Sequence, residues 1–138
     1  MSIRRTACRL ICLGALVTSA GCGNDSTSPG VPGIEPEVIN NPDAFEFQVS
    51  AVDGYTGALT YAWTNTGAIA SVDQSCAVES GQAVLTLIDS AGNEMYTEDL
   101  SAGGSFTSAE GAAGEWQVRV DLTSMAGTLN FRAQKATP

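Results

Sequence analysis

From residue 43 onward, apolar and polar residues of this chain alternate with a period of two. The alternation is clear in Phe45–Ala51, in Leu59–Thr64 and in Trp116–Leu122. A period of two places successive side chains on opposite faces of an extended strand, whereas a helix would repeat every 3.6 residues. No helical period occurs anywhere in this part of the chain. The sequence therefore predicts an all-β fold.

Turn-forming residues divide this region into short strands. Asp53-Gly54, Asn65–Gly67, Asp89–Asn93 and Met125–Gly127 all have turn chemistry. Ala83–Ile88 is apolar on both faces, which is typical of a strand in the middle of a sheet. Seven or eight short strands spaced eight to twelve residues apart indicate a single antiparallel β-sandwich, jelly-roll or immunoglobulin-like, over residues 43–136.

The N-terminal segment has the pattern of an export signal. Arg4, Arg5 and Arg9 precede an apolar run, Leu10–Ala20. This run is shorter than the roughly 20 residues that a bilayer span requires, and it fits the apolar region of a signal peptide. Residues 1–21 are therefore predicted to be a signal peptide.

The end of the signal decides whether the protein is anchored. Ser19-Ala20-Gly21-Cys22 resembles the lipobox of bacterial lipoproteins. The resemblance implies cleavage after Gly21, a lipid on Cys22, and attachment to the membrane through that lipid. The alternative is cleavage after Ala20 by the ordinary signal peptidase, which recognises a small-x-small site.

A Ser/Gly/Pro-rich segment follows the cysteine. Residues 22–42 contain four of the five prolines and have no apolar period, so we expect a flexible tether. Gly23 follows Cys22 directly. Among lipoproteins this resembles the class sorted to the outer membrane of Gram-negative-type bacteria, and it implies that location in the cell envelope.

The charge balance excludes several functions. Without residues 1–21 the chain has three basic residues against fifteen acidic ones, a formal net charge of −12. Nucleic-acid binding requires clustered cations, so it is excluded as a function. Histidine is absent, which excludes Ser-His-Asp and Cys-His catalysis and His-ligated zinc.

Cysteine and acidic residues are the side chains of this chain that could hold a metal ion. Cys8 and Cys12 leave with the signal and Cys22 takes the lipid, so Cys76 remains alone. We expect it to be a small buried apolar residue, with a free thiol or an intermolecular bridge as the alternatives. If cleavage falls after Ala20 instead, Cys22 and Cys76 could pair. No calcium-loop motif occurs. The closest cluster is Asp89 with Asn93, which we interpret as a turn whose side chains bond their own backbone, with a structural calcium as the alternative. We expect no cofactor and no metal site.

Aromatic residues suggest one candidate ligand site. Trp63 and Trp116 fall on the apolar faces of their strands and are expected in the core. Tyr55, expected in a loop after Asp53-Gly54, is the candidate exposed aromatic residue and hence the candidate ligand-binding residue. A sugar-stacking platform would require Tyr55 and at least one tryptophan to be exposed together. No residue is proposed as catalytic, although a carboxylate pair remains an alternative.

The second half of the domain resembles a known kind of module. Leu85–Asp89 with Gly92-Asn93, then Gly114–Val120, then Gly127–Phe131 resemble the small jelly-roll domains of the pre-peptidase C-terminal type and the P-domains of subtilisin-like convertases. The resemblance implies a non-catalytic accessory module. We therefore expect a lipid-anchored interaction or structural protein that is not an enzyme, with another envelope protein or a cell-surface glycan as its partner. A carbohydrate-binding module and a small carboxylate-dependent hydrolase are the alternatives.

Overall fold

A computed structural model describes residues 33–137 of the chain. The predicted signal peptide, its cleavage site at Gly21, the lipidation site at Cys22 and most of the tether lie outside the described residues. Within the described range, no helix has the length and apolar character needed to cross a bilayer.

The described residues form an all-β fold, as the alternation predicts. Seven strands pair antiparallel throughout, in the order β1-β2-β7-β3-β6, with β4 pairing to β7 and β5 pairing to β4. They are β1 (Glu37–Asn41), β2 (Ala44–Asn65), β3 (Ala70–Gln74), β4 (Ala77–Ile88), β5 (Glu94–Asp99), β6 (Gly104–Thr107) and β7 (Gly114–Lys135). The apolar β4 lies between β5 and β7, so its prediction as a central strand is confirmed.

Two of the predicted turns are bends within strands, and this is the main correction to the expected topology. Asp53-Gly54 lies inside β2 and Met125–Gly127 inside β7, and the chain does not reverse at either place. The two 22-residue strands pair from Ala44 opposite Gln134 to Asn65 opposite Gly114. Their register shifts three times between Val49 and Gly57. Such bulges bend a strand sharply without ending it.

The bends fold the long hairpin over itself into two layers. Residues 44–49 of β2 and 129–134 of β7 join β1, β3 and β6, whereas residues 57–65 and 114–122 join β4 and β5. The rings of Phe45 and Tyr61 are 5.5 Å apart, although a straight strand would separate them by roughly 50 Å. The Asp43 N–H likewise donates to the Thr64 carbonyl over 2.8 Å. This arrangement is consistent with a β-sandwich whose corners are bent strands.

The inward faces of both layers form one apolar core. Phe47 stacks on Phe131 with ring centroids 5.0 Å apart, and Trp63 meets Trp116 edge to face at 6.1 Å. Both tryptophans are 1% exposed, which confirms their predicted burial. Each indole N–H is also satisfied, by the carbonyls of Asn41 and Ala112 respectively.

The fold begins earlier than the predicted boundary at residue 43. Ile34 is 3% exposed, and β1 lies inside the range assigned to the tether. The pattern missed β1 because four of its five residues are exposed and only Val38 packs against the core. A strand at the edge of a sheet shows little of the alternation that identifies the others.

Candidate functional site

A row of outward-facing side chains crosses all five strands of the first layer. The strand register aligns Ile39, Glu46, Arg132, Asp73 and Ser105 in that order. The Arg132 guanidinium lies 3.9 Å from the Glu46 carboxylate and 3.6 Å from that of Asp73. The Ser105 hydroxyl donates to Asp73 Oδ1 over 2.5 Å. We call these five residues the charged row.

An open depression of about 410 Å³ follows the charged row, with Asn130 and Ser75 also on its wall. The two carboxylates on either side of Arg132 are a candidate for the carboxylate pair of the hydrolase alternative. However, Glu46 and Asp73 have about half of their side-chain surface in water. A catalytic acid needs a desolvated setting that favours its neutral form. The geometry is that of a surface ion-pair network, which contributes little to stability.

The charged row ends at the free edge of β1. Among the described residues, β2 is the one strand that pairs with β1, through five consecutive residues without a bulge. In an antiparallel pair, alternate residues direct their backbone N–H and C=O groups away from the partner strand. Along β1 those groups face outward from the sheet. Ile39, in the middle of the strand, is 54% exposed and is the exposed large apolar residue of the described range.

Contacts at its C-terminal end hold β1 in place. The Asn40 side chain donates to the Ala62 carbonyl over 2.7 Å, and the Trp63 indole donates to the Asn41 carbonyl over 3.2 Å. The strand is therefore fastened to both layers. It lacks the lysine, inward-pointing charge or bulge with which proteins usually protect an exposed edge. Within the described range, Glu37 and the flanking prolines, Pro36 and Pro42, are the features that limit access to this edge.

The structure does not bring the predicted aromatic residues together. Tyr55 lies in β2 at the bend, not in a loop, and is half-buried with its hydroxyl close to Gly57. The two tryptophans are inside the core. A sugar-stacking platform made of Tyr55 and a tryptophan is therefore absent from the described residues. A second depression, of about 460 Å³, lies between residues 33–37 and 48–52 and does not include Tyr55.

The acidic side chains of several loops accept hydrogen bonds from backbone N–H groups. Asp89 is 5% exposed and accepts hydrogen bonds from the N–H groups of Ala91 (3.0 Å), Asn93 (2.8 Å) and Ala112 (2.9 Å). The bonds from Ala112 and Asn93 are the main reason why the pKa of Asp89 lies below its usual value. This confirms the turn interpretation of Asp89.

Two further aspartates hold loops in the same way. Asp43 accepts from the Thr66 N–H over 2.7 Å and from its hydroxyl over 2.9 Å. Asp99 accepts from the Ser101 N–H over 2.8 Å. Hydrogen bonds from Thr66 and Ser101 lower the pKa of Asp43 and of Asp99 respectively. Among residues 33–137, no three acidic, cysteine or histidine side chains are grouped as a metal site would require.

Cys76 is a free, half-buried cysteine that packs against the core. Its sulfur accepts a hydrogen bond from the Asn130 N–H over 3.2 Å. Burial raises the pKa of the thiol, so the reactive thiolate is disfavoured at neutral pH. The geometry supports a packing role for Cys76.

Comparison with known proteins gives no family for this chain. No protein-family model matches it, and no curated protein is detectably similar in sequence. Sequence reasoning missed Ile39 and the charged row as candidate functional features. The Glu-Val-Ile-Asn-Asn sequence of β1 contains an isolated apolar pair, Val38-Ile39. The charged row, however, depends on pairings between residues up to 86 positions apart, such as that of Glu46 with Arg132.

Proposed function

We propose that this protein is a lipid-anchored, non-catalytic component of the cell envelope that binds a protein partner through the free edge of β1. The observation that carries the proposal is the unbroken, exposed β1 edge with Ile39 at its centre. A strand of the partner could form backbone hydrogen bonds with such an edge, and one of its apolar side chains could pack against Ile39.

The charges of the domain favour an anchor made of lipid. Arg119 pairs with Asp121 at 3.0 Å, Arg132 lies between two carboxylates, and Lys135 donates to the Thr66 hydroxyl over 3.0 Å. All three basic side chains of the domain thus have polar partners. Anionic lipid head groups attract clusters of unpaired cations. Attachment through Cys22 therefore supplies the membrane affinity in this proposal.

The length of the tether sets how far the domain extends from the membrane. Ile34, which is buried, lies twelve positions after Cys22. Fully extended, twelve residues span at most about 40 Å. The domain would remain close to the outer membrane, where its partner would be another envelope component.

The non-catalytic assignment is supported by the state of the acidic residues. The aspartates with displaced pKa values are all displaced downward and all hold backbone N–H groups. A general acid would require the opposite displacement. The resemblance of residues 85–131 to pre-peptidase C-terminal modules points in the same direction, toward an accessory role.

The carbohydrate-binding alternative has one observation in its favour. The depression along the charged row contains a guanidinium, two carboxylates and the Asn130 amide. Planar polar groups of this kind can form hydrogen bonds with sugar hydroxyls, although no exposed aromatic ring accompanies them among the lining residues. The preferred proposal is the protein partner, because no second strand among residues 33–137 pairs with the β1 edge, and an added strand matches the backbone groups of an edge better than a sugar does.

The test is cross-linking in cells that produce the full-length chain, followed by mass spectrometry of the recovered complexes and of the N-terminal peptide. We expect an acylated Cys22 and a cross-linked protein. The matched control is Cys22→Ser, which should release the protein from the membrane fraction. An unmodified N-terminus at Gly21 would refute the anchor. Retention of glycan fragments without any protein would favour carbohydrate binding instead.

A further inference from the structure

We propose that the partner of the β1 edge is β1 of a second copy of this chain, paired antiparallel about a two-fold axis at Ile39. The inference rests on the proposed use of this edge for binding and names the partner. The dimer would join the first layers of two copies into one ten-stranded sheet.

The sequence of β1 is complementary to itself in this register. An axis through Ile39 sets Ile39 opposite Ile39 of the second copy, Val38 opposite Asn40, and Glu37 opposite Asn41. Every residue of the strand then has a partner, and no two like charges face each other. Directly opposite residues with like charge are unfavourable in a sheet.

Other registers of β1 against a second β1 either set like charges opposite each other or pair fewer residues. Residues directly opposite each other must lie on the same face of the sheet, so the axis has to pass through a residue rather than between two. An axis through Glu37 sets two carboxylates opposite each other. An axis through Val38 or Asn40 pairs only three of the five residues. The register at Ile39 is therefore the one that uses the whole strand.

The outer face of the joined sheet also favours this pairing. Ile39 is the apolar member of the charged row and lies at its open end. Pairing would place two isoleucines side by side in the centre of the row and cover surface that is now exposed. Glu46 of one copy would lie three strand spacings, or about 14 Å, from Glu46 of the other. Salt largely screens two exposed charges at that distance.

The size of the edge explains why the membrane matters for this dimer. A five-residue strand buries less surface than the roughly 1,200 Å² typical of stable complexes, so pairing in dilute solution would be weak. Anchoring both copies to one membrane by tethers of at most about 40 Å raises their effective concentration. We therefore expect the dimer in the membrane and little of it in dilute detergent.

The first experiment is disulfide cross-linking in cells with the full-length chain, in a Cys76→Ser background. Opposite Cα atoms in an antiparallel pair are about 4.5–5.5 Å apart, within the range that a disulfide bridges. Mild oxidation should convert most of the I39C protein into a dimer. E37C and N41C should each remain monomeric alone and form a mixed dimer when produced together.

Two controls define the background. The chain without an added cysteine reports any cross-link through Cys22, and T60C reports random collision, because Thr60 is exposed in the second layer away from the β1 edge. An I39C yield equal to that of T60C would overturn the self-pairing. So would an I39C adduct with the mass of a different protein, although the proposed interaction function would then stand.

A second measurement does not depend on cysteine. Two copies with different C-terminal tags should co-purify from membranes cross-linked before extraction, and I39K should reduce that yield at least fivefold by placing two ammonium groups opposite each other. Ile39 is more than half exposed, so the substitution leaves the core intact. Q48K, an exposed change on the neighbouring strand β2, should retain the yield. Equal co-purification of I39K and the native chain would refute the proposal.

Discussion

At the scale of single residues, buried polar side chains hold the loops of this protein to its strands. Asp89 illustrates this because its carboxylate receives three backbone N–H groups, two from its own turn and one from Ala112. The sequence allowed this turn to be predicted from Asp89 and Asn93. The bond to Ala112, 23 residues away, could not be predicted because it depends on how distant segments pack.

Replacing Asp89 with asparagine should make stability less sensitive to acid. The folded-state pKa of Asp89 is lowered, so its ionised form stabilises the fold above the unfolded-state pKa of about 3.9, and this contribution is lost as pH falls through the lower folded value. Asp89→Asn should therefore have a lower Tm than the native chain at pH 7. The difference should shrink below about pH 4. Thermal unfolding followed by circular dichroism at pH 7, 5, 4 and 3 tests this, and a Tm difference that is constant with pH would contradict it.

A second buried polar contact joins β3, β5 and the loop that follows β5. The Tyr96 hydroxyl donates to Gln74 Oε1 over 2.5 Å, and Gln74 Nε2 donates to the carbonyls of Ala102 (2.7 Å) and Asp99 (3.2 Å). Tyr96→Phe would leave a buried acceptor without a donor and should cost about 1–3 kcal/mol of unfolding free energy. Urea denaturation measures this loss. Glu94→Gln, an exposed change on the same strand, should stay within about 0.5 kcal/mol of the native chain, and an equal loss in both variants would refute the assignment.

At the scale of secondary structure, the bends of β2 and β7 determine the fold. Asp53-Gly54 and Met125–Gly127 have the turn chemistry that the sequence indicates, but the chain bends at both places instead of reversing. Residues that permit positive φ occur both in hairpin turns and in bulges. Whether the chain reverses there depends on its pairing partner, since β2 and β7 continue as partners on both sides of the bend. The alternation of apolar and polar residues identifies the individual strand segments. It does not show that these segments join into two long strands, because that depends on which strands pair.

The bend in β7 should depend on glycine at position 127. Gly127 has φ of 129°, and a Cβ there would lie 2.1 Å from the Ala77 carbonyl oxygen of the neighbouring strand β4. Gly92, in the loop between β4 and β5, also has positive φ (87°), but a Cβ there would meet no atom within 4 Å. Gly92→Ala thus measures backbone strain alone, on the order of 1 kcal/mol.

Gly127→Ala adds a clash with a backbone atom that cannot rotate away. We expect it to cost about 1–3 kcal/mol more than Gly92→Ala in urea denaturation. Similar losses in the two variants would mean that β4 does not approach β7 closely at the bend.

At the scale of the whole molecule, the two layers share one core, so they should unfold together. Phe47 belongs to the first layer and contacts Phe131 of the same layer and Tyr61 of the second. Both tryptophans are in the second layer. Tryptophan fluorescence therefore reports on the second layer, whereas a substitution of Phe47 changes the first layer directly.

Phe47→Ala should lower the unfolding free energy by about 3–5 kcal/mol, and Phe47→Leu by less. If the core is shared, urea midpoints from tryptophan fluorescence and from far-UV circular dichroism should fall by the same amount, because a two-state domain loses all of its structure in one transition. Gln48→Ala, an exposed change beside Phe47, should leave both midpoints unchanged. A fluorescence midpoint that stays at its native value in Phe47→Leu, while the circular dichroism midpoint falls, would show that the layers are independent. In that case the ten-stranded sheet of the proposed dimer would depend on the stability of the first layer alone.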